Sequence, residues 1–171
     1  MKLPPEFPEE YFEKKGNKPV KIKPYNSSYK KIAKEYQKKL DKILKPIGVK
    51  SIHKGATALG ISGKGDIEFG VYPKRSQFDK TLVALINHFR GIKQLNYGFA
   101  QFTERYKGQE MEVVVINEGD YATLDKKLDS YLKRHPKIAK EYERVKTESA
   151  YSAKEYSRAK DSFMRKIIKR L

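Results

Sequence analysis

Apolar positions recur along this chain with two different periods, and the change of period marks out its elements. From Asn26 onward, Tyr29, Ile32, Ala33, Tyr36, Leu40, Ile43 and Leu44 return every three or four residues while lysines fill the opposite face. That spacing predicts an amphipathic helix, capped by Asn26 or Ser27 and ended before Pro46. The next apolar runs are shorter. Val49 to His53 predicts a brief strand, and Asp66-Ile67-Glu68-Phe69-Gly70-Val71 alternates with the period of two of a half-buried strand. Gly55, Gly60, Gly63 and Gly65 predict a turn between them. Phe78, Leu82, Leu85, Ile86 and Phe89 predict a second helix that stops at Gly91. Ile92 to Tyr106 has the aromatics and length of one or two strands, and the β-branched run Met111 to Ile116 predicts another.

After Gly119 the period is helical throughout. Asp120 is the expected cap of a helix carrying Tyr121, Leu124, Leu128, Tyr131 and Leu132 on one face. Pro136 suits the first turn of the next, with Ile138, Tyr142 and Val145, and Tyr156, Ala159, Phe163, Ile167 and Leu171 mark the last. Residues 1–24 hold five prolines, Pro4, Pro5, Pro8, Pro19 and Pro24, and no sustained period, so they read as an extended arm. The expected fold is α+β or α/β, a small mixed sheet flanked by helices. One domain over residues 1–171 is expected, with the arm at 1–24, a core at 26–119 and a helical extension at 120–171.

Composition sharpens this in two ways. With 38% hydrophobic residues, 171 positions suffice for one buried core despite 35% charged residues. The net charge of +17 is concentrated in the flanks: residues 1–50 carry 14 Lys/Arg against 6 Asp/Glu and residues 121–171 carry 15 against 7, whereas the middle carries 9 against 8. Such flanks attract polyanions through a salt-screened field, so RNA or DNA is an expected partner class. The chain has no cysteine, no apolar leader in residues 1–13 and no run of the ~20 apolar residues a membrane span needs, so a cytoplasmic protein without membrane partners is expected.

The candidate chemistry lies in the neutral middle. Asp66 and Glu68, two apart on a strand, point to one face while Ile67 and Phe69 point to the other. Two adjacent carboxylates repel unless a cation lies between them, and Mg²⁺, or Mn²⁺, favours a few carboxylate oxygens together with substrate phosphates. The glycines of the preceding turn allow close approach of backbone N–H groups to phosphate. Lys64, two residues before Asp66, suits the neutralisation of triphosphate charge.

Two-metal transfer needs a third acid, and Glu110 and Glu112 are the candidates on the Met111 strand. They lie about 7 Å apart at a rise of ~3.4 Å per residue, so only one reaches the same metal. Glu112 is deeper in the apolar run and is the expected third ligand, facing Asp66 and Glu68 from an adjacent strand. Tyr97, Phe99 and Phe102 are better placed to stack a base than Tyr25, Tyr29 and Tyr36, whose helical spacing reads as core.

These residues resemble the GrpB-like branch of the nucleotidyltransferase superfamily, whose fold is shared with the palm-like domain of DNA polymerase β. Gly55-Ala56 looks like the family turn, Asp66 and Glu68 like its acid pair ten residues on. Tyr25-Asn26, Lys64 and the run Tyr131-Leu132-Lys133-Arg134-His135-Pro136 extend the likeness over nearly the whole chain. Where the superfamily has a serine for the terminal phosphates this chain has Ala56, with Thr57 as the nearest hydroxyl. Where GrpB-like proteins show His-x-His it has Glu110-x-Glu112, closer to other nucleotidyltransferases.

The resemblance implies an Mg²⁺-dependent enzyme that transfers a nucleotidyl group from an NTP to a hydroxyl acceptor. Asp66, Glu68 and Glu112 would hold metal and do the chemistry, and Gly55, Ala56, Thr57 and Lys64 would bind the nucleotide. The alternative is a basic, non-catalytic nucleic-acid-binding module on the same fold.

Overall fold

The structure is a computed structural model that describes residues 5–171; Pro4 of the expected arm lies outside them. Within the arm a short helix, α1 (Glu9–Glu13), interrupts the extended chain. The first long helix is α2 (Ser28–Leu44), whose start is held by Asn26, its side-chain oxygen accepting from the Ser28 N–H at 2.9 Å. Beyond a 3₁₀ turn, Lys45–Ile47, come β1 (Ser51–Lys54) and β2 (Ile67–Val71). The intervening glycine turn is not all irregular: its first residues form α3 (Gly55–Leu59). Then follow α4 (Arg75–Phe89), β3 (Gln94–Asn96), β4 (Phe99–Tyr106) and β5 (Gln109–Ile116). Helix α4 ends on Arg90 in the left-handed region, φ 55°, one residue before the glycine expected to stop it. The C-terminal third is α5 (Asp120–Arg134), α6 (Pro136–Glu148) and α7 (Ala153–Ile168), with Gly119 rather than Asp120 at the cap position of α5.

The five strands form one mixed sheet in the order β1-β2-β5-β4-β3, antiparallel except for the central β2–β5 pair. Alternation assigns its two faces. Ile67, Phe69, Val71, Met111, Val113 and Val115 are wholly buried on one face, where they meet Tyr36, Leu40 and Leu44 of α2 and Leu85 of α4. At roughly 25 cal/mol per Å² of apolar surface, this layer is the chief source of stability.

Glu68 and Glu112 therefore fall on the opposite face, which the C-terminal helices cover. There Ile61 of the loop after α3 packs with Ala139 and Tyr142 of α6 and Phe163 and Ile167 of α7. The two cores are separate, and the space between the sheet and the second of them is a cleft. Among the described residues no helix is long and apolar enough to cross a membrane.

Candidate active site

The floor of the cleft is set by strand register. Lys54 of β1 pairs with Glu68 of β2, and Glu68 pairs with Glu112 of β5, so three charged side chains stand in a row across adjacent strands. Asp66, immediately before β2, lines the same cleft, as do Gly55, Ala56 and Lys64. Glu112 thus shares a cavity with both other acids, while Glu110 pairs with Arg105 at the exposed start of β5 and lies outside it. Gly55 has a φ of 75°, and a Cβ there would lie 2.9 Å from the Glu68 Oε2, so a glycine is required for β1 to turn directly into α3 beside the acid.

Lysines stand at each acid. Lys54 lies 2.6 Å from the carboxylate of Asp125 on α5 and 3.5 Å from Glu68, and the Tyr72 hydroxyl donates to the same Asp125 oxygen at 2.5 Å. Burial would lower the Lys54 pKa, but the charges of Glu68 and Asp125 outweigh it and hold the ammonium protonated. Lys64 is 3.9 Å from Asp66 and Lys93 is 3.8 Å from Glu112, both on half-exposed side chains. These two do not balance the site. Burial, then the charges of Glu68 and Asp66, raise the Glu112 pKa above the ordinary carboxylate value.

Residual negative charge of this kind fits a divalent cation, and the donors are the hard oxygens Mg²⁺ prefers. Among the described residues, however, no three His, Asp or Glu side chains are grouped as a metal centre. A bound ion would have to draw the carboxylates away from the exposed ammonium groups of Lys64 and Lys93.

Three readings of nucleotide binding change. Thr57 is buried, its hydroxyl 2.9 Å from His53 Nε2, and it does not line the cleft. That histidine is structural: burial and then Lys133 bring its pKa down to about 4, leaving the ring neutral. The glycine loop gives away two of the N–H groups expected to face phosphate, since Ser62 donates to Glu143 of α6 at 2.5 Å and Gly63 to the Lys23 carbonyl at 3.1 Å. The aromatics Tyr97, Phe99 and Phe102 are absent from the cleft. Phe102 is in the main core, and Tyr97, 96% exposed, sits between β3 and β4 at the far edge of the sheet.

What the sequence did not identify comes largely from the C-terminal helices. Lys146 of α6 is 2% exposed, donates to the Ser62 carbonyl at 2.7 Å and lies 4.8 Å from the centre of the Tyr142 ring. Burial, then the neighbouring charge of Lys160, brings its pKa down to about 8. Lys146 and Lys160 line the cleft together with Asp125 and Asp129. A signal for two of them was present. Asp125 falls in register with Tyr121, Leu128 and Leu132 on α5, and Lys146 with Ala139 and Tyr142 on α6, each a charge on an apolar stripe. The whole cleft has a volume of about 390 Å³, within the roughly 300–1,000 Å³ of ordinary small-ligand sites.

The family described as GrpB protein matches residues 19–170, nearly all of the sequence. The chain belongs to the GrpB family. No curated protein matches it. Among solved structures it is similar to the Cid1 poly(U) polymerase, with 14% identity over 80% of this chain and 41% of that one and a TM-score of 0.48. It is also similar to a chain of the GLD-2/RNP-8 complex, with 10% identity over 88% and 53% of the two chains and a TM-score of 0.47. A third likeness is to the CdnC:HORMA-deltaN complex of E. coli MS115-1, with 18% identity over 81% and 56% and a TM-score of 0.42. This GrpB-family chain spans about half the length of those chains, or less.

Proposed function

We propose that this protein binds a nucleoside triphosphate in the cleft and transfers its nucleotidyl group to a hydroxyl acceptor. The observation that carries the reading is the in-register pair Glu68 and Glu112 on parallel strands, with Asp66 in the same cleft and several lysines on its walls. Asp66, Glu68 and Glu112 would hold a divalent ion, Mg²⁺ or Mn²⁺. When bound, that ion would neutralise and polarise phosphoryl oxygens. Gly55 and Ala56 supply the close wall, and Lys64, Lys146 and Lys160 the positive charge for the triphosphate. The bond formed joins the acceptor oxygen to the α-phosphorus, the bond broken frees pyrophosphate, and the acceptor's proton goes to the Glu112 carboxylate.

Titration calorimetry with each of the four NTPs in Mg²⁺ tests the reading. Binding of at least one is expected, and Asp66→Asn should abolish its Mg²⁺ dependence without changing the melting temperature by more than a few degrees. No binding of any NTP to the wild-type protein would defeat it.

A second reading keeps the cleft without turnover and gives the basic flanks to a nucleic acid. It is favoured by Ala56 in place of a hydroxyl residue and by the Lys54 ammonium fixed between Glu68 and Asp125.

A further inference from the structure

The family match begins at residue 19, yet two residues before it line the cleft: Phe7 and Tyr11 of the N-terminal arm. Their rings stack on one another, 4.2 Å between centres and 15° between planes. Phe12, 94% buried as its 6% exposure requires, meets both rings edge-on at 6.3 and 5.3 Å. Phe12 in turn packs against the Arg158 guanidinium of α7, and Glu9 and Glu13 on either side pair with Arg158 and Lys154. The arm is tied further by the Lys154 N–H to Gly16 and the Ala153 N–H to Lys18. The aromatic pair is thus held in place, not loosely draped over the surface.

What it is held for is the question, because the rings are not used to fill a core. Phe7 is 48% and Tyr11 36% exposed, so both rings keep apolar surface open on the wall of the cleft. Tyr11 is already engaged, with Phe7 on its ring and the Lys15 ammonium 4.5 Å from its centre. Phe7 is the ring with surface to offer: it borders the main cleft and also a smaller cavity of about 130 Å³ between the arm, α5 and α7. The cleft's other aromatics, Tyr142 and Tyr156, are buried, and its lysines and carboxylates are suited to phosphate and its counter-ion. A ligand that satisfies both parts has a flat aromatic group and several negative charges.

We propose that the arm completes the site, with Phe7, backed by Tyr11, as the platform on which the nucleobase of a bound nucleotide stacks. This rests on the nucleotide reading given above and adds to it a base-binding element from outside the family-matched segment. Stacking of a base on a protein aromatic contributes enough that truncation weakens binding roughly 5- to 150-fold, with little dependence on which base is present.

The test is calorimetry on the full chain with two probes, Mg·ATP and inorganic tripolyphosphate, repeated with UTP. Wild type should bind the nucleotides more tightly than tripolyphosphate. Phe7→Ala should weaken both nucleotides about tenfold and leave tripolyphosphate unchanged, and Phe7→Tyr should restore them. Because Phe7 is half exposed, its loss is not expected to unfold the chain, and Tyr11→Ala should give a smaller loss of the same kind. Equal loss for nucleotides and tripolyphosphate would make the arm a mere wall and overturn the proposal, as would unchanged nucleotide affinity in Phe7→Ala. Tripolyphosphate binding without nucleotide preference in the wild type would also overturn it, while a wild type that binds neither probe would defeat the nucleotide reading itself.

Discussion

Glu112 carries opposed demands. In the absence of a cation its charge is disfavoured by burial and by Glu68 and Asp66, so the ionised position costs stability. Glu112→Gln should therefore raise the melting temperature of the metal-free protein by about 2–4 °C, the shift for each kcal/mol in a chain of this size. The same change should weaken Mn²⁺ binding, followed by electron paramagnetic resonance, at least tenfold. A variant that is less stable than the wild type would show that the charge is compensated in the cleft. Lys146 makes a comparable case with the opposite charge. Its pKa falls from the ordinary lysine range to about 8 in the folded state, so the unfolded chain binds the extra proton between those values. The penalty, on the order of 3 kcal/mol, is present in full below pH 8 and is relieved as pH rises above it. Thermal unfolding of the wild type should accordingly gain stability relative to Lys146→Met between pH 8 and about 9.5, and parallel profiles would contradict the assignment.

At the scale of elements, the loop after α3 is shaped by a helix more than eighty residues away in sequence. Glu143 of α6 accepts from the Ser62 N–H, Lys146 of the same helix donates to the Ser62 carbonyl, and Lys23 of the arm closes a two-bond bridge with Gly63. The Glu143 pKa shows the strength of this anchor: burial alone would raise it, but bonds from Lys140 and Ser62 bring it down to about 2. Glu143→Ala leaves the Ser62 N–H without its acceptor and should cost about 1–2 kcal/mol. Hydrogen exchange is the direct readout, with faster exchange expected at Ser62 and its neighbours and little change in β2 or β5. Uniformly faster exchange across the sheet would instead mean that α6 supports the whole fold.

For the whole molecule the net charge of +17 dominates. Self-repulsion on this scale is screened by salt, so the melting temperature should rise between 0.05 and about 0.5 M salt, where the Debye length shrinks from above 10 Å to a few ångströms. The same charge bears on the second functional reading. Single-stranded RNA bound by the flanks should show a log–log salt slope of about −0.7 per phosphate neutralised, measured by fluorescence anisotropy. RNA affinity that does not change with salt would remove the flanks as its binding surface.

The sequence by itself determined whatever depends on neighbours along the chain. Alternation on β2 and β5 put Ile67, Phe69, Met111 and Val113 in the core and the acids on the opposite face, because side chains two apart on a strand share a side whatever lies around them. The helical period likewise marked α2, α4, α5, α6 and α7, with Asn26 at the start of α2 as expected and the end of α4 and start of α5 one residue off, where Arg90 and Gly119 take the cap positions. Only the tertiary structure decided which distant groups meet. Lys54 acquires Asp125 from α5, the glycine loop loses Ser62 and Gly63 N–H groups to α6 and the arm, and Thr57 turns inward to His53. The aromatics of the cleft, Phe7 and Tyr11 of the arm with Tyr142 of α6 and Tyr156 of α7, do not come from the middle strands, since β3 and β4 lie on the far side of β5 from the acids. Periodicity fixes which face of an element is apolar but carries no record of which other element will cover it, and that packing is what assembles the cleft.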